Sequence, residues 1–278
     1  MRIRHAAWAG QFYPAEPDQL SHMLDSYIEA AEFVEPDGRV VGVMAPHAGY
    51  TFSGRTAATA YKHLVGSEYK TIVVLAPSHA TFINGASVYS GDAYQTPLGE
   101  IAVDKTIAQA LESAAPNIHL GEAGHELDGD RAEHSLEVQL PFLQFVLGEF
   151  QLVPIVFHDY SWSNCRQLGK ALAQILDADS TLLVASSDLY HGQSYEECQR
   201  QDEATLHSIE NDTPETFCYG ANSGEFMACG AGPIAVLKIV ADEWNAQQPR
   251  VVTHTTSADV TGSRGGYVVG YAAAIVVH

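Results

Sequence analysis

The chain has 278 residues and a mass of 30.0 kDa, and its 14 Lys and Arg against 34 Asp and Glu give a formal net charge of −20. Phosphate backbones and anionic lipid surfaces attract basic faces, so this composition excludes broad binding to nucleic acids or anionic membranes. The N-terminal stretch lacks the apolar segment of a signal peptide, no apolar run approaches the length of a membrane span, and the four cysteines form no C-x-x-C pair. We therefore expect a cytoplasmic protein with reduced thiols.

Helical and strand patterns alternate along the chain. An apolar stripe that includes Leu20 and Leu24 predicts an amphipathic helix over 17–33, with Pro17 near its start. In chain order the further elements are strand 40–44, strand 71–75, helix 104–114, helix 133–147 after a polar, loop-like stretch over 121–132, strand 152–157, helix 163–177, strand 181–184, helix 195–209, helix 231–245, strand 250–254 and strand 267–277. This alternation predicts an α/β fold in which helices flank a mainly parallel or mixed central sheet, within a single domain over 1–278.

Three predicted strands are followed at once by side chains that can bind a metal or move a proton. VVGVMAPHAGY places His47 after its strand, TIVVLAPSH places His79 there, and TLLVASSDLYH adds Asp188 and His191. Because the carboxyl ends of parallel strands meet at one edge of a sheet, we expect these side chains to share a site. Two neutral imidazoles at adjacent strand ends suit Fe, Cu, Zn or Ni.

Each of these residues also has a purely structural interpretation. A loop histidine such as His47 or His79 can serve only to hydrogen-bond its own turn. Asp188 could bind a metal, orient an imidazole or cap a helix, since Ser186 and Ser187 precede it in a run typical of helix starts. These alternatives stay open from the residues alone.

Cys229 lies in a Gly-rich turn that leads into the predicted helix over 231–245. A helix N-terminus lowers the pKa of a nearby thiol, which would make Cys229 a ligand or a nucleophile. A free cysteine can equally be a small buried hydrophobic residue. Context favours neither interpretation.

The segment EHSLEVQL is predicted to open the helix over 133–147, with Pro141 starting or kinking its second half. His134 and Glu137 are three residues apart and would share a face of that helix, as a proton-transfer pair or as metal ligands. Glu133 and Glu137 could instead be favourable charges near a helix N-terminus.

Several motifs together resemble those of one known family. They are Trp8 with FYP at 12–14, PHAGYTFSG at 46–54, APSH at 76–79, EHSLEVQLPFLQ at 133–144, SSDLYHG at 186–192 and CGAGPI at 229–234. In this order they resemble the Memo family, whose prokaryotic members are known as AmmeMemoRadiSam system protein B. The resemblance implies a fold similar to class III extradiol dioxygenases and a site that holds iron or copper. It also implies His47, His79 and Cys229 as metal ligands, with Asp188 and His191 close by.

The leading hypothesis from the sequence is a metal-dependent redox protein, a dioxygenase-like oxidoreductase that uses Fe(II), with Cu or Zn as alternative ions. His134 would be its general acid or base, while Asp188 and His191 would orient ligands or bind a second ion. The substrate would be a small molecule or a group carried on a protein. A second hypothesis is a non-catalytic binding module or metal carrier that partners a radical-SAM enzyme. A third is zinc-dependent hydrolysis, in which Asp188 or Glu137 activates a water.

Overall fold

The computed structural model describes residues 1–126 and 132–278. Of the loop predicted over 121–132, residues 127–131 lie outside the described part of the chain. The elements are β1 (Ile3–Arg4), α1 (Pro17–Ala30), β2 (Val40–Ala45), α2 (Tyr50–Lys62), β3 (Thr71–Pro77), β4 (Ala86–Tyr89), β5 (Ala93–Thr96), β6 (Gly99–Ala102), α3 (Lys105–Ala114), β7 (Ile118–Gly121), a 3-10 turn (Glu137–Gln139), α4 (Leu140–Leu147), β8 (Gln151–Phe157), α5 (Trp162–Ile175), β9 (Thr181–Ser186), β10 (His191–Gly192), α6 (Tyr195–Asn211), α7 (Pro214–Ser223), α8 (Ala231–Glu243), β11 (Arg250–Thr256), α9 (Ser257–Thr261) and β12 (Val268–Val277).

A mixed sheet forms the centre of the molecule, and its neighbouring strands run in the order β10, β12, β2, β9, β3, β8, β4 and β7, with β11 also paired to β12. The strands β2, β9, β3 and β8 are mutually parallel, while β12 and β4 join this block antiparallel on its two sides. A small second sheet contains β1, β5 and β6. The predicted α/β fold with a mixed central sheet is confirmed. The prediction that β2 and β3 are adjacent is wrong, because β9 lies between them.

Helices cover both faces of the sheet, as continuous apolar strands require. Along β3, Val73 and Leu75 pack in one core with residues of α5 and α8. Ile72 and Val74 pack in the other core, with residues of α1, α2 and α4. The four parallel strands are therefore rigidly held, and the loops at their carboxyl ends start from fixed positions. No helix within the described residues combines the length and apolarity that a bilayer crossing requires.

The helix predicted over 133–147 begins only at Leu140, after the 3-10 turn, and Pro141 lies in its first turn. The preceding residues are held in other contacts, because the Glu133 carboxylate accepts hydrogen bonds from the backbone N–H groups of His134 and Ser135. His134 and Glu137 consequently do not share a helix face. Residues 133–139 pack beneath the strand ends and are called the 133–139 segment below.

The helix α2 follows the first strand-end motif directly and was not predicted. Its residues from Thr56 to Tyr61 are all buried although Thr56 and Thr59 are polar, so the apolar stripe of an amphipathic helix is interrupted in the sequence. Gly54 permits the close approach of α1, because a Cβ at this position would lie 2.6 Å from the Tyr27 ring. The helix therefore fills the space behind the loop that carries His47.

Candidate metal centre

Three side chains from separate parts of the chain meet at the carboxyl edge of the parallel strands. His47 follows β2, His79 follows β3 and Cys229 precedes α8, and one potential ligand atom from each lies within 4.8 Å of the other two. The Cys229 Sγ atom lies 3.1 Å from Nε2 of His47, and the two imidazole centroids are 5.2 Å apart. His47 is buried, whereas Cys229 is partly exposed and His79 is exposed. The cluster is therefore open to solvent on the side of His79.

The chemistry of this donor set fits a transition metal. Two imidazole nitrogens and one thiolate suit Fe, Cu or Zn, and three protein ligands leave coordination positions open. The sequence placed His47 and His79 together from their strand ends and left Cys229 undecided between ligand and hydrophobic residue. The structure brings all three residues together.

Glu133 orients His79. One of its carboxylate oxygens lies 3.0 Å from Nδ1 of His79, and its carboxylate also accepts the backbone N–H of that residue. Although burial raises the pKa of Glu133, the hydrogen bonds from His79 and the neighbouring imidazoles of His79 and His134 lower it to about 2. The carboxylate is therefore ionised and accepts the Nδ1 proton, which leaves Nε2 as the lone-pair nitrogen. The sequence alone indicated for Glu133 only a favourable charge near a helix N-terminus.

A second group with metal-binding spacing contains His79, Glu133 and His134. Its carboxylate already accepts hydrogen bonds from the backbone N–H groups of His79, His134 and Ser135, besides its contact with Nδ1 of His79. An ion bound there would have to displace these donors. This group is better described as the support of His79 than as a separate site.

Substitution Glu133→Gln is expected to weaken metal binding by about 10-fold to 100-fold, the usual cost of losing the carboxylate partner of a metal-bound histidine. The uncharged amide keeps the shape of the side chain but no longer holds His79 in one tautomer as strongly. Zinc affinity measured by competition with a chelator checks this. Glu243→Gln, at an exposed ion pair with Lys170, is the matched control. Equal zinc affinity in Glu133→Gln and Glu243→Gln would contradict the assigned role.

His134 lies beside both candidate histidine ligands. Its ring stacks on that of His79 with centroids 4.9 Å apart and lies 5.4 Å from the centroid of His47. Trp8 and Phe12 pack against its other sides. This position is compatible with the predicted acid or base role, which stays a prediction.

Glu137 does not enter the site, contrary to the prediction that it pairs with His134. Its carboxylate is fully buried and forms an ion pair with Arg4. It also accepts hydrogen bonds from the backbone N–H of Trp8 and from the Tyr13 hydroxyl. With these donors around it, Glu137 cannot activate a water at the metal cluster.

Asp188 connects the two ligand loops through the backbone. Its carboxylate accepts the N–H of His47 at 2.8 Å, and its carbonyl oxygen accepts the N–H of Cys229 at 3.1 Å. Burial raises the pKa of Asp188 to about 7. The helix-cap interpretation is wrong, because Ser194 caps α6. Among the described residues, Asp188 belongs to neither group with metal-binding spacing.

His191 lies in β10 at the margin of the site. Its Nδ1 atom is 2.9 Å from the carbonyl oxygen of Leu189. Burial, and to a smaller degree the nearby His79, lower the pKa of His191. The lowered pKa favours the neutral imidazole, and whether His191 orients ligands or binds an ion stays a prediction.

The pKa predicted for Cys229 is wrong for the metal-free chain. Burial and the neighbouring Asp188 carboxylate raise the pKa of this thiol well above its ordinary value. The backbone N–H of Asp188, 3.1 Å from Sγ, lowers the pKa of the thiol but does not offset these two effects. A bound cation would instead lower the pKa of Cys229, because metal ions deprotonate the thiols that coordinate them.

Comparison with known proteins agrees with the motifs. The family model described as Memo-like protein matches residues 4–275. The chain belongs to the Memo family. Similar MEMO1 family proteins are found in Nitrosopumilus maritimus, with 33% identity and 98% of each chain covered, and in Methanosarcina barkeri, with 34% identity over 99% of this chain and 100% of that one. A MEMO1 family protein of Aquifex aeolicus is 34% identical over 94% of this chain and 95% of its own.

Among solved structures, an uncharacterised protein of Escherichia coli K12 matches with 16% sequence identity and a TM-score of 0.48, over 84% of this chain and 99% of that one. The similarity to class III extradiol dioxygenases, which the Memo resemblance implies, stays a prediction.

A small cavity of this Memo family protein adjoins two of the three candidate ligands. It measures ≈ 210 Å³ and is lined in part by His79, Cys229, His158 and Tyr160. Nδ1 of His158 lies 3.2 Å from the carbonyl oxygen of Ser78. His158 follows β8, and the pairing of β8 with β3 brings it to this edge. The cavity offers room for a small molecule beside the cluster.

A larger cavity of ≈ 730 Å³ opens beside Lys70 and Gln151, at the amino ends of β3 and β8. It therefore lies at the opposite edge of the sheet from His79. Ligands of parallel sheets bind outside the carboxyl ends of the strands, so we assign the functional site to the smaller cavity.

Proposed function

We propose that this protein binds one transition metal through His47, His79 and Cys229 and uses it as an oxidoreductase. Fe(II) is the ion we expect, with Cu or Zn as alternatives. The supporting observation is that ligand atoms from three separate segments lie within 4.8 Å of one another at an edge where a small cavity opens. The substrate is a small molecule, or a small group carried on a protein.

A bound metal would supply a Lewis acid and a redox centre at this edge of the sheet. The residues around it have separate tasks in this proposal. Glu133 and Asp188 position the ligand loops, and the cavity beside His158 holds the substrate. His134, stacked on His79, would give or take a proton of the substrate.

A metal carrier that partners a radical-SAM enzyme is the second candidate, and the exposure of the ligands favours it. His79 is exposed and Cys229 partly exposed, so another protein could reach the metal directly. A carrier is expected to release its metal readily to a chelator, to show no oxygen consumption with reductants or catechols, and to co-purify with its partner. Oxygen consumption that depends on both metal and substrate would favour the oxidoreductase.

The metal site itself is tested by measuring metal content after anaerobic purification. We expect one metal ion per chain in the wild type and a loss of the ion in His47→Ala. In the cobalt-substituted protein we expect a thiolate charge-transfer band that disappears in Cys229→Ser. Cys198→Ser is the matched control, because Cys198 lies on α6 and contacts Asp202 instead. Unchanged metal content in His47→Ala, or an unchanged band in Cys229→Ser, would refute the ligand assignment.

A further inference from the structure

We infer that Ser186 and Gln139 are positioning residues that fix the imidazole of His47 in the tautomer whose Nε2 lone pair faces the cluster. This inference rests on the proposed metal site, for which His47 is a ligand. It concerns residues outside the ligand set, one at the end of β9 and one in the 133–139 segment.

The hydroxyl of Ser186 has all its hydrogen-bonding capacity assigned. It donates to the carbonyl oxygen of Ser135 at 2.6 Å, which uses its only proton. It accepts from the Gln139 amide at 2.7 Å, and Nδ1 of His47 lies 2.8 Å away. With its proton used, the Ser186 oxygen can only accept from the imidazole. Nδ1 of His47 must therefore carry the proton.

The side-chain amide of Gln139 has only one favourable orientation. Its nitrogen lies 3.1 Å from the carbonyl oxygen of Pro46 and 3.3 Å from that of Ala45, both of which can only accept. Its oxygen accepts the hydroxyl of Tyr61 at 2.6 Å. Turning the amide over would place its oxygen against both carbonyl oxygens, so the nitrogen stays on this side, where its shortest contact is the hydrogen bond that it donates to Ser186 at 2.7 Å. The donor direction along this chain of bonds is thus fixed from Tyr61 onward.

Burial makes this arrangement effective. Tyr61, Gln139, Ser186 and His47 are each at most 2% exposed, so water cannot easily replace a missing partner. On the opposite side of the ring, Nε2 of His47 lies 3.1 Å from Sγ of Cys229, where a metal would bind. The two histidine ligands are then oriented in different ways, His79 by a carboxylate and His47 by a neutral hydroxyl. The 133–139 segment contributes to both, because Glu133 contacts His79 directly and Ser135 and Gln139 hold the Ser186 hydroxyl.

The tautomer can be measured directly in the metal-free, full-length protein. Long-range ¹H–¹⁵N correlation spectra distinguish protonated from unprotonated ring nitrogens, and loss of one pattern in His47→Gln assigns the signals. We expect Nδ1 of His47 to be protonated and Nε2 unprotonated in the wild type. In Ser186→Ala we expect a mixture of tautomers. A wild-type ring protonated on Nε2 would overturn the inference, even if Ser186→Ala fails to fold.

The second measurement is zinc affinity. Ser186→Ala is expected to bind zinc about 10-fold to 100-fold more weakly than the wild type. In this variant the Nδ1–H of His47 has lost its acceptor, the Ser186 hydroxyl. Ser208→Ala is the matched control and should keep wild-type zinc affinity. Ser208 is also buried, but it lies on α6 and its hydroxyl donates to Asp212. Equal zinc affinity and an unchanged tautomer in Ser186→Ala would refute the positioning role alone. Absence of zinc binding in the wild type, with the expected tautomer, would refute the metal site alone.

Discussion

Arg4→Met is expected to lower the free energy of unfolding by about 3–5 kcal/mol, because it leaves a buried carboxylate without its charge partner. The side chains of Arg4 and Glu137 are 4% and 0% exposed. Arg4 also donates to the backbone carbonyl oxygens of His125, at 2.9 Å, and Glu133, at 2.8 Å. It thereby joins the N-terminal segment to the 133–139 segment, which supports both candidate histidine ligands. Denaturant unfolding of the metal-free protein measures the loss.

Two further variants show whether buried charge causes this loss. Arg200→Met removes an exposed pair with Glu197, where salt bridges contribute under about 1 kcal/mol, so it should resemble the wild type. The double variant Arg4→Met/Glu137→Gln should lose less than the sum of its single variants, since no charge remains buried. An Arg4→Met variant as stable as Arg200→Met would show that the ion pair does not stabilise the fold.

The stability of the metal-free protein is expected to fall as the pH decreases through the range in which His125 titrates when unfolded. Burial lowers the pKa of His125 to about 4, against 6.5 for an ordinary histidine. A folded-state pKa below the unfolded one means that the unfolded chain binds the proton first. The contribution of His125 to the free energy of unfolding is therefore fully present above pH 6.5 and is lost between pH 6.5 and about 4. The expected contribution of His125 between pH 7 and pH 4 is about 3 kcal/mol.

The hydrogen bonds of His125 are compatible with a neutral ring. Nε2 lies 2.9 Å from the carbonyl oxygen of Ser87, and Nδ1 lies 2.7 Å from the hydroxyl of Tyr94. Because a carbonyl oxygen can only accept, Nε2 carries the proton and donates to Ser87. In the neutral ring Nδ1 then accepts the hydroxyl of Tyr94. His125→Gln has no titrating group at this position. Between pH 7 and pH 4 it should therefore lose about 3 kcal/mol less free energy of unfolding than the wild type. Parallel pH profiles of the wild type and His125→Gln would contradict this origin.

Local patterns in the sequence predicted the architecture and the place of the site. Buried strands are short apolar runs, and α1, α3, α5, α6 and α8 follow from apolar periodicity, so both signals are independent of distant residues. The motifs that follow β2, β3 and β9 placed His47, His79 and Asp188 at one edge of the sheet. The motif order also indicated the Memo family, which the comparisons confirm.

The supports of the candidate ligands depend on tertiary contacts instead. Glu133 reaches His79 and Ser186 reaches His47 from positions far away in the sequence, and no local pattern encodes either contact. Contacts of this kind also explain why the helix predicted over 133–147 begins only at Leu140. The sequence there has a helical pattern, but its first residues hydrogen-bond to the strand ends, as Ser135 does to Pro77. His158 reaches the site only because β8 pairs with β3.

The sequence by itself indicated the strand ends, the two candidate histidine ligands and the family of this protein, because those signals reside in contiguous segments. Only the tertiary structure decided which nitrogen of each imidazole faces the cluster and which way each glutamate points. Glu133 and Glu137 are four residues apart, yet one orients His79 and the other pairs with Arg4. The physical reason is that a buried polar group takes its role from the partners that folding brings to it.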